Sequence, residues 1–351
     1  MRSFWKNTLI LILALLAVCA SVSCGNKTAG AETVGNLTFY DLGDGTYGVG
    51  VAADKTKSVT AVEIPAIHRE KPVVKIVREG FADCERLTTV VIPDGITVID
   101  AFAFSNCYSL SALTLNNTLT AVGDYAFSGC ASLEGVALPN TVTEVGAYAF
   151  SFCGKLKSII LSENQTALKP HTFYKCASLE TVAVPNSIKS IGKYALMDCS
   201  ALSSVSIGNG LETIEMNAFN GCSSVTSITV SEENRSYRAV CGILYNRPTT
   251  EILYIPARLT GNIVIPDGVN SIDSSAFADQ SGITSLTVPK SVASIGGSAF
   301  AGCTALESVT FAEPKGWKSE NIAINAASLQ DPATAAHFLT EQYSYGAWKR
   351  S

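Results

Sequence analysis

Ala126-Phe127-Ser128-Gly129-Cys130-Ala131-Ser132-Leu133-Glu134-Gly135-Val136-Ala137-Leu138-Pro139-Asn140 is the most informative stretch of this chain, because its landmarks return at a fixed step. Phe127 is followed by a small residue three positions on and an apolar residue six positions on. The trio recurs every 23 residues as Phe81/Cys84/Leu87, Phe104/Cys107/Leu110, Phe150/Cys153/Leu156, Phe173/Cys176/Leu179, Leu196/Cys199/Leu202 and Phe219/Cys222/Val225. After a step of 58 residues it returns as Phe277/Gln280/Ile283 and Phe300/Cys303/Leu306. A repeat of this length is one supersecondary unit that cannot bury its own apolar face, so successive units stack into a solenoid. Such a fold offers long repetitive surfaces and seldom the deep, chemically varied cleft that catalysis needs.

Within each unit, Leu133/Val136/Leu138 and its equivalents Leu87/Val90/Ile92 and Leu179/Val182/Val184 alternate in the β period. Pro93, Pro139, Pro185, Pro266 and Pro289 end these strands, since proline has no N–H for the ladder. Strands one repeat apart must be parallel. A second apolar arm, such as Ile96/Ile99 or Val142/Val145, returns after a turn, and Gly123, Gly146, Gly192 and Gly296 are expected to be turn residues with open dihedrals. From Val59 to Phe311 about eleven rungs at ~4.8 Å predict a sheet about 50 Å long. Residues 36–58 alternate around Gly43-Asp44-Gly45 and predict an N-terminal hairpin cap, while 312–351 predict a C-terminal cap with a helix over Pro332–Leu339 and a strand over Tyr343–Lys349.

Cys84, Cys107, Cys130, Cys153, Cys176, Cys199, Cys222 and Cys303 share one slot of the repeat, which predicts a buried, reduced structural ladder. One thiol per unit with no second ligand at chelating spacing argues against a metal. Gln280 takes the same slot and Cys241 lies outside it.

The chain has 25 Lys+Arg against 30 Asp+Glu, a net charge of −5, and lacks the basic excess expected of a nucleic-acid binder. Arg2 and Lys6 precede the apolar run Leu9–Val18, which is too short to favour a spanning helix and has the layout of a signal peptide over 1–23. Ser23-Cys24 resembles a bacterial lipobox, with Ser21 where that pattern prefers Leu, so Cys24 is the expected lipidation site and 24–35 the tether; secretion without lipid, with cleavage between Ala20 and Cys24, is the alternative. Cleavage leaves 23 basic against 30 acidic residues, a net of −7.

The sequence Ala-Phe-x-x-Cys-x-x-Leu, followed by Leu-x-Leu-Pro-Asn at the 23-residue period, resembles the BspA-like (Treponema-type) leucine-rich repeat family over residues 59–311. The resemblance implies a β-rich, right-handed leucine-rich-repeat array with a parallel sheet on one face. It further implies an exported or surface protein, with adhesion to host matrix proteins or to other bacteria among the roles of such proteins. It supplies no catalytic motif. No cofactor fingerprint appears, and His68, His171 and His337 are far apart. The expected protein is therefore a non-enzymatic, lipid-anchored binder of protein or glycan partners at the outer membrane or cell surface. A periplasm-facing scaffold with an endogenous partner is the alternative.

Two surfaces could hold a partner. The outward strand positions, among them Thr89, Thr114, Ser204, Ser206 and Thr229, form a flat Ser/Thr face. The insert over 231–258 reads as a short hairpin turning at Asn246-Arg247-Pro248 and concentrates Arg235, Tyr237, Arg238, Tyr245, Arg247, Tyr254 and Arg258, residue types that dominate interface energetics.

Overall fold

The computed structural model describes residues 30–256 and 259–351. The expected signal peptide, Cys24 and Arg258 lie outside the described residues. The chain winds as a parallel β-solenoid of about eleven turns. Its long-strand wall runs from Ala61–Glu63 to Ser308–Phe311 in hydrogen-bonded runs of three, five and three strands. Most successive strands are in register with the residue 23 positions on, as in Val136 with Ile159 and Val182 with Val205, whereas Ala61–Glu63 pairs 28 positions on, with Thr89–Val91. The expected single sheet is thus divided, and one of its gaps falls between Ser227–Val230 and Gly261–Val264, where the insert intervenes. A second wall stacks two-residue strands such as Val98–Ile99, Ala121–Val122 and Glu144–Val145. The proline after a long strand starts the turn between the walls: its carbonyl accepts from the N–H three residues on, as from Val142 to Pro139 at 2.9 Å.

The third wall, through the Ala-Phe segments, is not strand but still carries a backbone ladder. Phe104 N–H donates to Ala126 O at 2.7 Å, and Phe127 N–H to Ala149 O at 2.8 Å. Inside it, Phe81, Phe104, Phe127, Phe150 and Phe173 form a stack with ring centroids 5.1 to 5.8 Å apart. The cysteine ladder lies beside this stack, fully or almost fully buried. Each thiol from Cys107 on donates to the carbonyl of the preceding unit's aromatic slot, as from Cys153 to Phe127 at 3.3 Å and from Cys303 to Phe277 at 3.0 Å. The slot therefore selects for a small apolar group that can also donate. Gln280 also donates, but to the carbonyl one residue past the slot, Ile255 O at 3.1 Å.

The recurrent glycines do not have the open dihedrals expected of them; none of the four has a positive φ. Their cause is close approach: a Cβ on Gly146 would collide with the backbone nitrogen of Asp124 in the preceding unit, and one on Gly296 with that of Ser274.

The N-terminal hairpin pairs Leu37–Asp41 with Tyr47–Val51, and the latter joins the short-strand wall alongside Lys71–Ile76. An outer strand, Ala31–Val34, pairs with Leu37–Asp41, so the ordered cap begins inside the expected 24–35 tether. At the other end, Trp317 and Trp348 are almost wholly buried near Phe311. Two short helices, Ala326–Gln330 and Pro332–His337, complete this cap; Asp331 caps the second, accepting from Thr334 N–H at 2.7 Å. The final strand is Trp348–Arg350, shorter than expected, and pairs antiparallel with Ser294–Ile295 and Trp317–Ser319, closing the second wall's edge.

Candidate partner-binding site

The insert is a three-stranded antiparallel meander and not the simple hairpin expected. Tyr237–Val240 pairs with Ile243–Asn246 across a two-residue turn, Cys241-Gly242, in which both residues have positive φ, +51° and +81°. That is the conformation a tight hairpin with right-twisting strands requires. Glu251–Tyr254 then pairs back with the middle strand and rejoins the short-strand wall beside Ser271–Ile272.

This geometry separates the insert's candidate residues into two groups. Tyr237, Tyr245 and Tyr254 are buried, at 9%, 4% and 8% exposure, and cannot serve as surface anchors. The reason is that the meander has no core of its own and must take one from the solenoid. Tyr237 Oη accepts from Ile214 N–H at 2.8 Å, and Tyr254 Oη donates to Cys222 O at 2.8 Å. Burial accordingly raises the pKa of all three phenols. Arg235, Arg238 and Arg247 are exposed.

An open crevice of about 400 Å³ lies between the insert and the unit before it, lined by Glu212, Ile214, Met216, Tyr237, Glu251, Leu253 and Asp273, among others. Burial raises the Asp273 pKa; burial and then the Asp273 charge raise that of Glu251. Among the described residues no group of three or more His, Cys, Asp or Glu is placed to hold a metal ion. The histidines stay apart: His68 stacks on Phe39 at 3.9 Å and meets Glu32 at 2.8 Å, His171 lies on the third wall, and His337 is 3.6 Å from Glu341. The long-strand wall presents the expected short side chains, with isolated exposed Val91, Ile160 and Val264.

The sequence reading missed an outer aromatic row. Phe102, Tyr125, Tyr148, His171 and Tyr194 stand two residues before each core aromatic slot and stack along the solenoid axis, with centroids 4.7, 4.5, 4.2 and 4.9 Å apart. Arg78 covers the first ring at 4.9 Å and Lys193 the last at 4.9 Å. The signal was available in the same 23-residue period, two positions upstream.

The molecule is thus a capped β-solenoid whose surfaces are suited to contact more than to chemistry. The BspA type leucine rich repeat region, in six copies, matches residues 74–202, 152–241 and 257–330, and the chain belongs to this family. A leucine-rich cell-surface protein of Faecalibacterium prausnitzii is 30% identical, with a TM-score of 0.72 over 81% of this chain and 77% of that one. The pneumococcal vaccine antigen PcpA, 20% identical with a TM-score of 0.55 over 81% of this chain and 70% of that one, shares the fold. No curated protein sequence matches the chain.

Proposed function

We propose that this protein is a non-catalytic interaction protein displayed at the bacterial surface, where it engages protein or glycan partners in adhesion. The observation that carries the reading is the likeness, at 30% identity and across most of both chains, to a leucine-rich protein described as a cell-surface protein. The long flat wall, the meander with exposed Arg235, Arg238 and Arg247, and a family whose solenoids are in general interaction scaffolds support it. Lipidation at Cys24 would supply the anchor; among the described residues no helix is long and apolar enough to cross a membrane. Membrane attachment then comes from several acyl chains, each buried methylene contributing ~0.8 kcal/mol.

Protease treatment of intact cells tests the display. Degradation of the protein while periplasmic markers survive is the expected result, and protection would favour an envelope-internal scaffold. Purified protein should bind immobilised matrix proteins or intact cells; capture of envelope components of its own organism alone would again favour the scaffold. Cys24→Ala should move the protein to the soluble fraction and abolish labelling by a fatty-acid analogue.

A further inference from the structure

Two columns of the third wall hold left-handed backbone in nearly every unit. The column two residues after the core aromatic slot reads Asp83, Asn106, Gly129, Phe152, Lys175, Asp198 and Gly221, all with φ between +58° and +77°. Asp, Asn and Gly suit that conformation because they have short polar side chains or no Cβ. Phe152 at +59° and Lys175 at +61° do not, and bulky residues held in this region are strained. Backbone bonds fix them: Phe152 N–H donates to Tyr174 O at 2.7 Å and Lys175 N–H to Met197 O at 2.9 Å. Burial offsets that strain only in part at Phe152, which is 40% exposed.

The surroundings of Phe152 are aromatic and cationic. Tyr174 meets it edge-on at 5.2 Å, Lys175 Nζ lies 5.8 Å from its ring and 5.3 Å from that of Tyr174, and Tyr174 meets His171 of the outer row at 5.6 Å. Residues 155–193 carry six lysines against two glutamates, a net of +4 within a chain of net −5. Lys157, Lys169 and Lys189 are paired with Glu134, Glu144 and Glu212. Lys155, Lys175 and Lys193 have no carboxylate within ion-pair distance among the described residues, and Lys155 and Lys193 are exposed.

We propose that the surface around Phe152, Tyr174, Lys155, Lys175 and Lys193 binds an anionic polysaccharide, a statement that rests on the surface-interaction reading and names its ligand. The ammonium groups would take the sulfates or carboxylates of the sugar, and the exposed Phe152 ring would pack against its C–H groups. Phe152 and Lys175 stand at equivalent positions of successive units on the third wall, with Lys155 three residues after Phe152 and Lys193 over the ring of Tyr194 in the next unit. A protein partner would need a recess for its anchoring side chains, whereas an extended chain of charged rings can lie along a flat stripe.

The test is binding of the purified chain to immobilised heparin, with uncharged dextran and poly-glutamate as comparisons. Retention on heparin at low salt, loss as salt screens the charges, and no retention on dextran are expected. Lys155→Gln/Lys175→Gln/Lys193→Gln should weaken binding by about tenfold or more, since charge-assisted contacts are the strong ones. Phe152→Asn should weaken it several-fold without lowering the melting temperature, because Asn106 occupies the equivalent position at φ +60°. No retention of the wild type, undiminished binding by either variant, or equal binding to poly-glutamate would overturn the proposal. The assay does not depend on display, so its failure in a protein still cleaved on intact cells removes the polysaccharide and leaves the surface reading standing.

Discussion

Tyr254 lies 23 residues before Phe277, in the slot that other units give to phenylalanine. Its ring takes the next place in the core stack, 5.8 Å from Phe219, while its hydroxyl reaches the Cys222 carbonyl. Tyr254→Phe should cost about 1–2 kcal/mol by removing that donor, and Tyr254→Ala about 3–5 kcal/mol by opening a cavity. Chemical denaturation measures both; a Phe variant as stable as wild type would show that the hydrogen bond contributes nothing. The arithmetic that places Tyr254 in the core was present in the sequence, but aromatic residues in a broken period look like surface anchors unless the count is continued backward from the next intact unit. The cysteine slot was easier to read because eight equivalent thiols leave one packing solution. Burial pushes Cys153, Cys199 and Cys303 up to about 12. Thiol titration of the native protein should therefore label exposed Cys241 and leave the eight ladder cysteines silent until denaturant is added. Rapid native labelling of the ladder would contradict its burial.

At the scale of elements, the meander attaches to the solenoid through its buried tyrosines, while Arg235, Arg238 and Arg247 stay exposed. Replacing Arg235, Arg238 and Arg247 together by Ala should leave the melting temperature nearly unchanged, whereas Tyr245→Ala/Tyr254→Ala should unfold the region. Only the arginine variant can report on binding through the insert. Its loss of binding to a matrix protein would place an epitope there, and full binding would move it to another face. The crevice beside the meander makes a separate statement about pH. Burial holds the Asp273 pKa above its ordinary value, so its favourable contribution is present while it is protonated and lost as pH rises through the folded-state pKa. Asp273→Asn should thus melt higher than wild type at pH 7, the amide oxygen still accepting from Ser274 N–H as Asp273 does at 2.7 Å. The difference should shrink as pH falls through the raised folded-state pKa and the wild-type carboxyl takes up its proton. A lower melting temperature for the variant at neutral pH would mean that the carboxylate is stabilising. The crevice was not legible in the sequence, and the outer aromatic row, though present in the 23-residue period, was passed over. The crevice depends on how the meander folds back, and the row occupies left-handed positions where Asn, Asp or Gly is the ordinary expectation.

For the whole molecule, the insert divides what the repeat would otherwise join. Solenoid stability is close to a sum of unit terms and nearest-neighbour interfaces, so one weak interface can uncouple the two sides. The apolar core separates at this point into a cluster from Leu37 to Tyr254 and another from Tyr245 to Trp348. In the long-strand wall, Ser227–Val230 and Gly261–Val264 belong to different hydrogen-bonded runs, and the crevice with its half-buried carboxylates opens beside the same junction. The bond between the arrays is then mainly the meander, with Tyr254 in the first core and Tyr245 in the second. The smaller C-terminal array should unfold at lower denaturant, because it has fewer units over which to spread the cost of its ends. The probes for this are built in: of three tryptophans, Trp317 and Trp348 both lie in the C-terminal cap, and Trp5 is in the expected signal peptide. Tryptophan fluorescence of the mature protein should report the C-terminal array alone, whereas far-ultraviolet circular dichroism reports both. The fluorescence midpoint should fall below the circular-dichroism midpoint, and the dichroism curve should be broader than one two-state transition allows. Coincident, equally steep transitions would show that the meander transmits cooperativity across the interruption and that the two arrays unfold as one.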